Sequence, residues 1–388
     1  MTSWSRILES AIAFRHELHQ HPELSWQEEM TAGRIRQRLD QLQIRWRPCA
    51  THGTVATLAS DASGPHIGLR GDIDALPIRE KADVAYRSTH DGCMHACGHD
   101  GHTAALWATA AWLKAHEDEL PGPVTLLFQP AEEGGHGARE MIAEGALEGI
   151  DCIYGWHNWP AIPFGQAVCP DGPVMSGNGS FKITLHGRGG HASQPDLCRD
   201  PVLAAAAITL NLQQIISRRL PPQTAAVVSV TSIDALNPEN VIPETVTLGG
   251  GIRLERPELR QIINDAIDEI ATQTALSYGV EAEVVLTPRY EATVNHADAA
   301  ARYREALAAE FGESWHAGQQ PVPIMASEDF SYYLNQIPGA FALIGMSAGS
   351  SFQHSCHSPS YQFNDALLEP MVRVFARLVG APLPDSKR

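Results

Sequence analysis

Cys93-Met94-His95-Ala96-Cys97-Gly98-His99-Asp100-Gly101-His102 runs straight into an alanine-rich segment from Thr103 to His116. The ten residues hold two sulfurs, three imidazoles and one carboxylate. Thiolate, neutral imidazole and carboxylate are the donors that Zn²⁺ and similar cations prefer. The alanine-rich segment predicts a helix, so the donors lie in a glycine-containing loop at its N-terminus, where anions are favoured. Short apolar runs fit for buried strands stand on either side. His66 to Asp72 ends in Arg70-Gly71-Asp72-Ile73-Asp74-Ala75-Leu76-Pro77. Val124 to Gln129 ends in Pro130-Ala131-Glu132-Glu133-Gly134-Gly135, and Ile150 to Trp156 ends at His157. Strand, donor, helix, strand, donor is the rhythm of an α/β protein that carries its site at the C-terminal edge of its strands. The donors are too many for one tetrahedral ion and about right for two, so the pattern predicts a dinuclear metallohydrolase.

Toward the N-terminus, Ile7, Ala11, Phe14 and Leu18 recur at helix spacing, and a second helix is predicted from Glu28 to Leu42. His21-Pro22 separates the two. His16-Glu17-Leu18-His19 is not a zincin motif, because HExxH requires histidine at position 20, where Gln20 stands. At about Gly177 the texture changes. Strand-like runs at Ser180 to Gly187, Ala225 to Ile233, Thr245 to Leu254 and Val280 to Leu286 alternate with helical runs at Pro201 to Arg219 and Pro257 to Tyr278. That β-α-β-β-α-β order is ferredoxin-like and contains no donor cluster. The expected organisation is a catalytic domain of residues 1–177 and 292–388, interrupted by a satellite domain of residues 178–291. The catalytic domain resumes with Ser327-Glu328-Asp329-Phe330, a strand from Ala340 to Gly345, and the stretch His354 to Asp365.

The 388 residues are 44% hydrophobic and 19% charged, enough for a large core, and the length suggests two domains. The formal net charge of -17 argues against nucleic acid and anionic membranes as partners. Met1-Thr2-Ser3-Trp4-Ser5-Arg6 lacks the basic and apolar regions of a secretory signal, and no window is apolar enough to cross a membrane. Seven scattered cysteines do not suggest a disulfide framework, so a reducing cytoplasm is expected.

Each candidate has a plain structural reading beside the functional one. Cys97 and His99 point to metal because companion donors surround them; Cys93 and Cys356 are weaker candidates. Asp100 and His102 fit equally as supports of a ligand or as helix caps. Glu132-Glu133 would ordinarily be a charged surface turn. After an apolar strand and before two glycines, one glutamate can bind metal while the other moves protons. His157 could be a packed histidine, and spacing does not choose between His354 and His357. His191, in Gly189-Gly190-His191-Ala192, reads by itself as an exposed residue of a glycine-rich turn. Trp156, Trp159, Met175 and Phe181 read as core rather than as an acyl pocket.

Taken together, Arg70-Gly71-Asp72-Ile73-Asp74-Ala75-Leu76-Pro77, His95 to Ala104, Gln129-Pro130-Ala131-Glu132-Glu133-Gly134, Gly155-Trp156-His157-Asn158-Trp159-Pro160 and His357-Ser358-Pro359 resemble the aminoacylase/carboxypeptidase superfamily. The similar branch contains hippurate hydrolase, indole-acetyl-amino-acid hydrolases and N-acetyl-diaminopimelate deacetylase. The resemblance runs from about Phe14 to about Asp365. It implies a phosphorylase/hydrolase-like α/β catalytic domain with a mixed central sheet flanked by helices, and a ferredoxin-like satellite that serves as lid and dimerisation surface. It implies Cys97, His99, Glu133, His157 and His357 as ligands of two divalent ions, Zn²⁺ or Mn²⁺, with Ni²⁺ or Co²⁺ as alternatives. Glu132 matches the general base, Asp74 the carboxylate that orients a ligand, and His191 a histidine that reaches into a partner's site in homodimers. Asn240 and Arg253 match positions that hold the substrate's carboxylate and backbone. Gly250-Gly251 departs from the Gly-Thr common before that arginine. The implied activity is hydrolysis of N-acyl-L-amino acids. A dipeptidase or carboxypeptidase on the same scaffold is the enzymatic rival, and a non-catalytic metal- or ligand-binding protein is the rival of another class.

Overall fold

The computed structural model describes residues 3–385. Met1, Thr2 and the last three residues, at the outer ends of the expected catalytic segments, lie outside them. The chain divides into two compact units. The first comprises the chain up to Val174, Val294–Val322 and the chain from Asp329 onward; the second comprises Met175–Thr293 and Pro323–Glu328.

The first unit is built on a seven-stranded sheet in the order Trp46–Cys49, Gly53–Leu58, Val124–Gln129, Ile67–Asp72, Cys152–Pro163, Gly339–Ser347, Ala167–Val168. Its middle is parallel and its edges are antiparallel. Ile67–Asp72 and Val124–Gln129 are buried along their whole length, as central strands covered on both faces should be. The helix His99–Ala115 is buried almost throughout. Its alanines keep it slim enough to pack against the sheet and against the helices Trp4–Gln20 and Leu368–Leu378.

Two details differ from the sequence reading. The strand expected to end at His157 runs from Cys152 to Pro163, with His157 in its middle. Parallel pairing with Gly339–Ser347 continues from Leu343↔His157 to Ser347↔Pro163 and carries it past Asn158 and Pro160, residues that disfavour strand locally. The helix expected over 201–219 stops at Leu212, and a π-turn, Ile215–Arg219, follows. Asp200 starts this helix by accepting from Val202 N, with Pro201 as its first residue.

The second unit holds a four-stranded antiparallel sheet in the order Ala226–Asp234, Thr245–Leu254, Gly177–His186, Glu281–Pro288. With the helices Pro201–Leu212 and Leu259–Ser277, this is the ferredoxin-like β-α-β-β-α-β order. Gly177–His186 alternates between buried and more exposed residues, so one face of the sheet is covered. Gly250 lies opposite Phe181, and a Cβ there would come within 2.1 Å of the ring, which accounts for glycine at this position. The segment 323–328 belongs with this unit through Ser176 N, which donates to Ile324 O at 2.9 Å. No helix among the described residues is long and apolar enough to cross a membrane.

Candidate metal centre

Three local devices aim the donors. Gly98 precedes the central helix with φ +94°, and a Cβ there would lie 2.1 Å from Asn158 Oδ1. Only glycine permits that turn, which delivers Cys97 and His99 to one region. Ala131, at φ +52°, makes the turn before the glutamate pair, and its N–H donates to Glu28 Oε1 at 2.8 Å. His357 is itself left-handed, at φ +67°, and its N–H donates to Ala96 O at 2.8 Å.

The donors converge in overlapping groups: Cys97 with His99 and His157; Cys97 with Glu133 and His357; His99 with Glu132 and Glu133. Within each group the donor atoms lie within 4.8 Å of one another. Cys97 Sγ is 3.2 Å from His157 Nε2, and His357 Nε2 is 3.1 Å from Glu133 Oε1. Among the described residues, His357 belongs to one of these groups and His354 to none of them.

The surroundings orient these atoms. His157 Nδ1–H donates to Asn158 O at 2.7 Å, which leaves Nε2 a bare acceptor facing Cys97. His99 Nδ1 is held by Asp74 O at 2.9 Å and Asp74 Oδ1 at 3.2 Å. Its Nε2 is buried with no hydrogen-bond partner, since Asp72 Oδ2 at 3.6 Å is too far. Asp74 Oδ2 also accepts from Glu133 N at 2.9 Å and Ser25 Oγ at 2.7 Å. A histidine fixed by a carboxylate, with its other nitrogen bare, is the usual preparation of a metal ligand.

The electrostatics point the same way. Burial pushes His99 down, but Asp72, Asp74 and Glu133 outweigh it and raise the imidazole to about 10. Contact with Cys356, burial and the nearby Glu133 and Glu132 push the Cys97 thiol well up. Burial, with His102 and His99, holds His157 well down and neutral. Without a cation, the cluster is an anionic pocket in which a thiolate is costly. Divalent ions would relieve that cost, so the donor set fits them.

Glu132 is buried beside this cluster, and its Oε1 accepts from Asp329 N at 3.4 Å. His191 and Asn240 lie in the second unit, on a short ribbon in which His191 pairs with Val241 and Ala192 N donates to Asn240 O at 2.9 Å. His191 is exposed, with Ser193 N and Oγ both on its Nδ1. Arg253, also in the second unit, is half-buried and donates through Nε to Met325 O at 3.2 Å.

Residues 68–381 match the model of Peptidase family M20/M25/M40. The chain belongs to that family. It is 38% identical to IAA-amino acid hydrolase ILR1-like 2 of Arabidopsis thaliana, over 92% of this chain and 81% of that protein. It is 37% identical to N-acetyl-L-cysteine deacetylase of Bacillus subtilis strain 168, over 94% and 86%. A crystal structure described as a dinuclear metal binding peptidase from the M20 family, from Bacillus subtilis, superposes with a TM-score of 0.82 at 34% identity and covers 97% of this chain and 98% of its own.

This M20 member also has buried supports, of which sequence reasoning named Asp100 and His102 as candidates and missed Asp72 and Asp329. Asp72 binds Arg70 Nη1 at 2.5 Å and His102 Nδ1 at 2.6 Å, and His102 Nε2 meets Asn158 Oδ1 at 2.8 Å. His102 therefore serves as a buried link. Asp100 is no cap either: it pairs with Arg15 at 3.0 Å and His19 at 2.9 Å. Asp329, which holds Glu132 through its backbone, is itself held by Arg70 Nη2 at 3.1 Å and Gln129 Nε2 at 2.8 Å. The available signal was Asp72 at the end of an apolar strand; His102 and the partners of Asp100 and Asp329 lie far away in sequence. Trp156 and Phe181 are buried core residues.

Proposed function

We propose that this M20 protein is a metal-dependent amidohydrolase that cleaves N-acyl-L-amino acids to a carboxylic acid and an amino acid. The observation that carries this reading is the glutamate pair. Glu133 converges with Cys97 and His357, while its neighbour Glu132 is buried alongside. The relatives described as acting on IAA-amino acids and N-acetyl-L-cysteine support an acyl amide as substrate.

Cys97, His99, Glu133, His157 and His357 would hold two divalent ions, in keeping with the dinuclear relative. Zn²⁺ suits the mixed thiolate, imidazole and carboxylate set best, with Mn²⁺, Ni²⁺ or Co²⁺ as alternatives. Bound there, such ions supply Lewis acidity and make water acidic enough to lose a proton near neutral pH. Glu132 takes that proton and later gives it to the leaving amine. Asp74 keeps His99 in the tautomer that presents Nε2. His191 stabilises the developing oxyanion, and Asn240 and Arg253 hold the amino-acid carboxylate, for which a guanidinium fork is well shaped. These last roles, a homodimer joined through the second unit, and a cytoplasmic location rest on the family resemblance.

The test is amine release from N-acetyl, N-benzoyl and indole-acetyl amino acids and simple dipeptides, by metal-loaded and chelated protein. Release from one acyl class that vanishes with chelator is expected. Release mainly from dipeptides would move the protein to the peptidases, the reading that the Bacillus neighbour's description favours. No release from protein with two bound metals would favour a binding role.

A further inference from the structure

We propose that Cys97 and Cys356 form a reversible disulfide that removes Cys97 from metal binding, making the pair a peroxide-sensitive modification site. The regulatory half of this proposal rests on Cys97 being a ligand. Three observations carry it. The His357 N–H donates to Ala96 O at 2.8 Å, so the residue before His357 and the residue after Ala96 flank one backbone contact. Asn158 spans the same place: its Nδ2 lies 3.9 Å from Cys356 Sγ, while its Oδ1 abuts Gly98, the neighbour of Cys97. All seven cysteines are free, and Cys49, Cys93, Cys169 and Cys198 point their sulfurs at backbone carbonyls of Met141, Pro22, Ala300 and Gln194.

Cys356 is partly exposed and Cys97 is buried, which orders the steps. A hydroperoxide transfers oxygen to the Cys356 sulfur: the O–O bond breaks, an S–O bond forms, and the alcohol or water departs. Cys97 sulfur then attacks Cys356 sulfur. The S–S bond forms, the S–O bond breaks, and the hydroxide leaves as water with the Cys97 proton. Two thiols and one hydroperoxide give one disulfide, one alcohol or water, and one further water. A dithiol reductant reverses the change by exchange. Ions bound through Cys97 occupy the attacking sulfur, so the loaded protein is protected and the metal-free protein is sensitive.

The experiment treats Zn²⁺-loaded and chelated protein with hydrogen peroxide, maps peptides without reduction by mass spectrometry, and then measures Zn²⁺ rebinding before and after dithiothreitol. Chelated protein is expected to lose two of its seven thiols, to yield a peptide linked through Cys97 and Cys356, and to recover Zn²⁺ binding with dithiothreitol. Loaded protein should yield little of that peptide. Cys356→Ser should bind Zn²⁺ before oxidation, give no linked peptide, and fail to recover with dithiothreitol once Cys97 is over-oxidised. Absence of the linked peptide from oxidised chelated protein, or equal recovery of Cys356→Ser, overturns the proposal. Reduced protein that binds no Zn²⁺ overturns the ligand reading and the regulatory half with it, whereas the linked peptide decides the disulfide by itself.

Discussion

Asp74 ties three segments together with one side chain. It orients His99, accepts the backbone N–H of Glu133 and receives the Ser25 hydroxyl. Burial pushes its pKa up, yet the bond and charge of His99 and the Glu133 N–H outweigh this and hold it below the ordinary carboxylate value. Asp74→Asn keeps the shape and removes the charge. Metal affinity should fall roughly 10–100-fold with the fold intact, as metal titration followed by circular dichroism would show. Glu132→Gln tests a different atom. Turnover should fall about 10²–10⁴-fold while bound metal stays constant, because a general base is lost and no ligand is removed. Unchanged turnover would remove Glu132 from the proton path.

The helix Trp4–Gln20 docks on the start of the central helix through charge as well as apolar packing. Arg15 and His19 both meet Asp100, and His19 also meets Glu80 at 3.1 Å. Burial pushes His19 down, but its hydrogen bonds to Asp100 and Glu80 win and raise it to about 8 from an ordinary 6.5. The sign follows from linkage: a raised histidine stabilises the fold fully below pH 6.5, and that contribution is lost as pH rises through 8. The contribution is about 2 kcal/mol. Urea unfolding of the wild type between pH 6 and 9 should show this loss, and His19→Gln should flatten it. Equal slopes for the two proteins would show that His19 does not gain its proton on folding.

At the scale of the whole molecule, the second unit leaves apolar residues in solvent. Leu203 and Leu210 on the helix Pro201–Leu212, and Leu276 near the end of Leu259–Ser277, are 58%, 73% and 67% exposed. A helix apolar nearly all round is suited to burial against a partner. Light scattering should give twice the 42.1 kDa chain mass, and Leu210→Glu should shift the population toward the single chain. A wild type at the single-chain mass would end the dimer proposal.

The chain itself was enough to determine that donors of the right chemistry occur in order, several of them beside glycine or after an apolar run. Those signals are local, and so were the α/β rhythm of the first unit and the β-α-β-β-α-β order of the second. The convergence of His357, rather than His354, with Cys97 and Glu133 was not local. It depends on a contact between Ala96 and His357, which the sheet brings together across the whole catalytic unit. The passage of a strand through His157 was decided by parallel pairing with Gly339–Ser347. The buried links Asp72–His102–Asn158 and Arg70–Asp329 join residues far apart in sequence. Periodicity and spacing report which face a residue takes and which donors it offers. Only the order of strands in the sheet decides which of those donors share one small, buried volume.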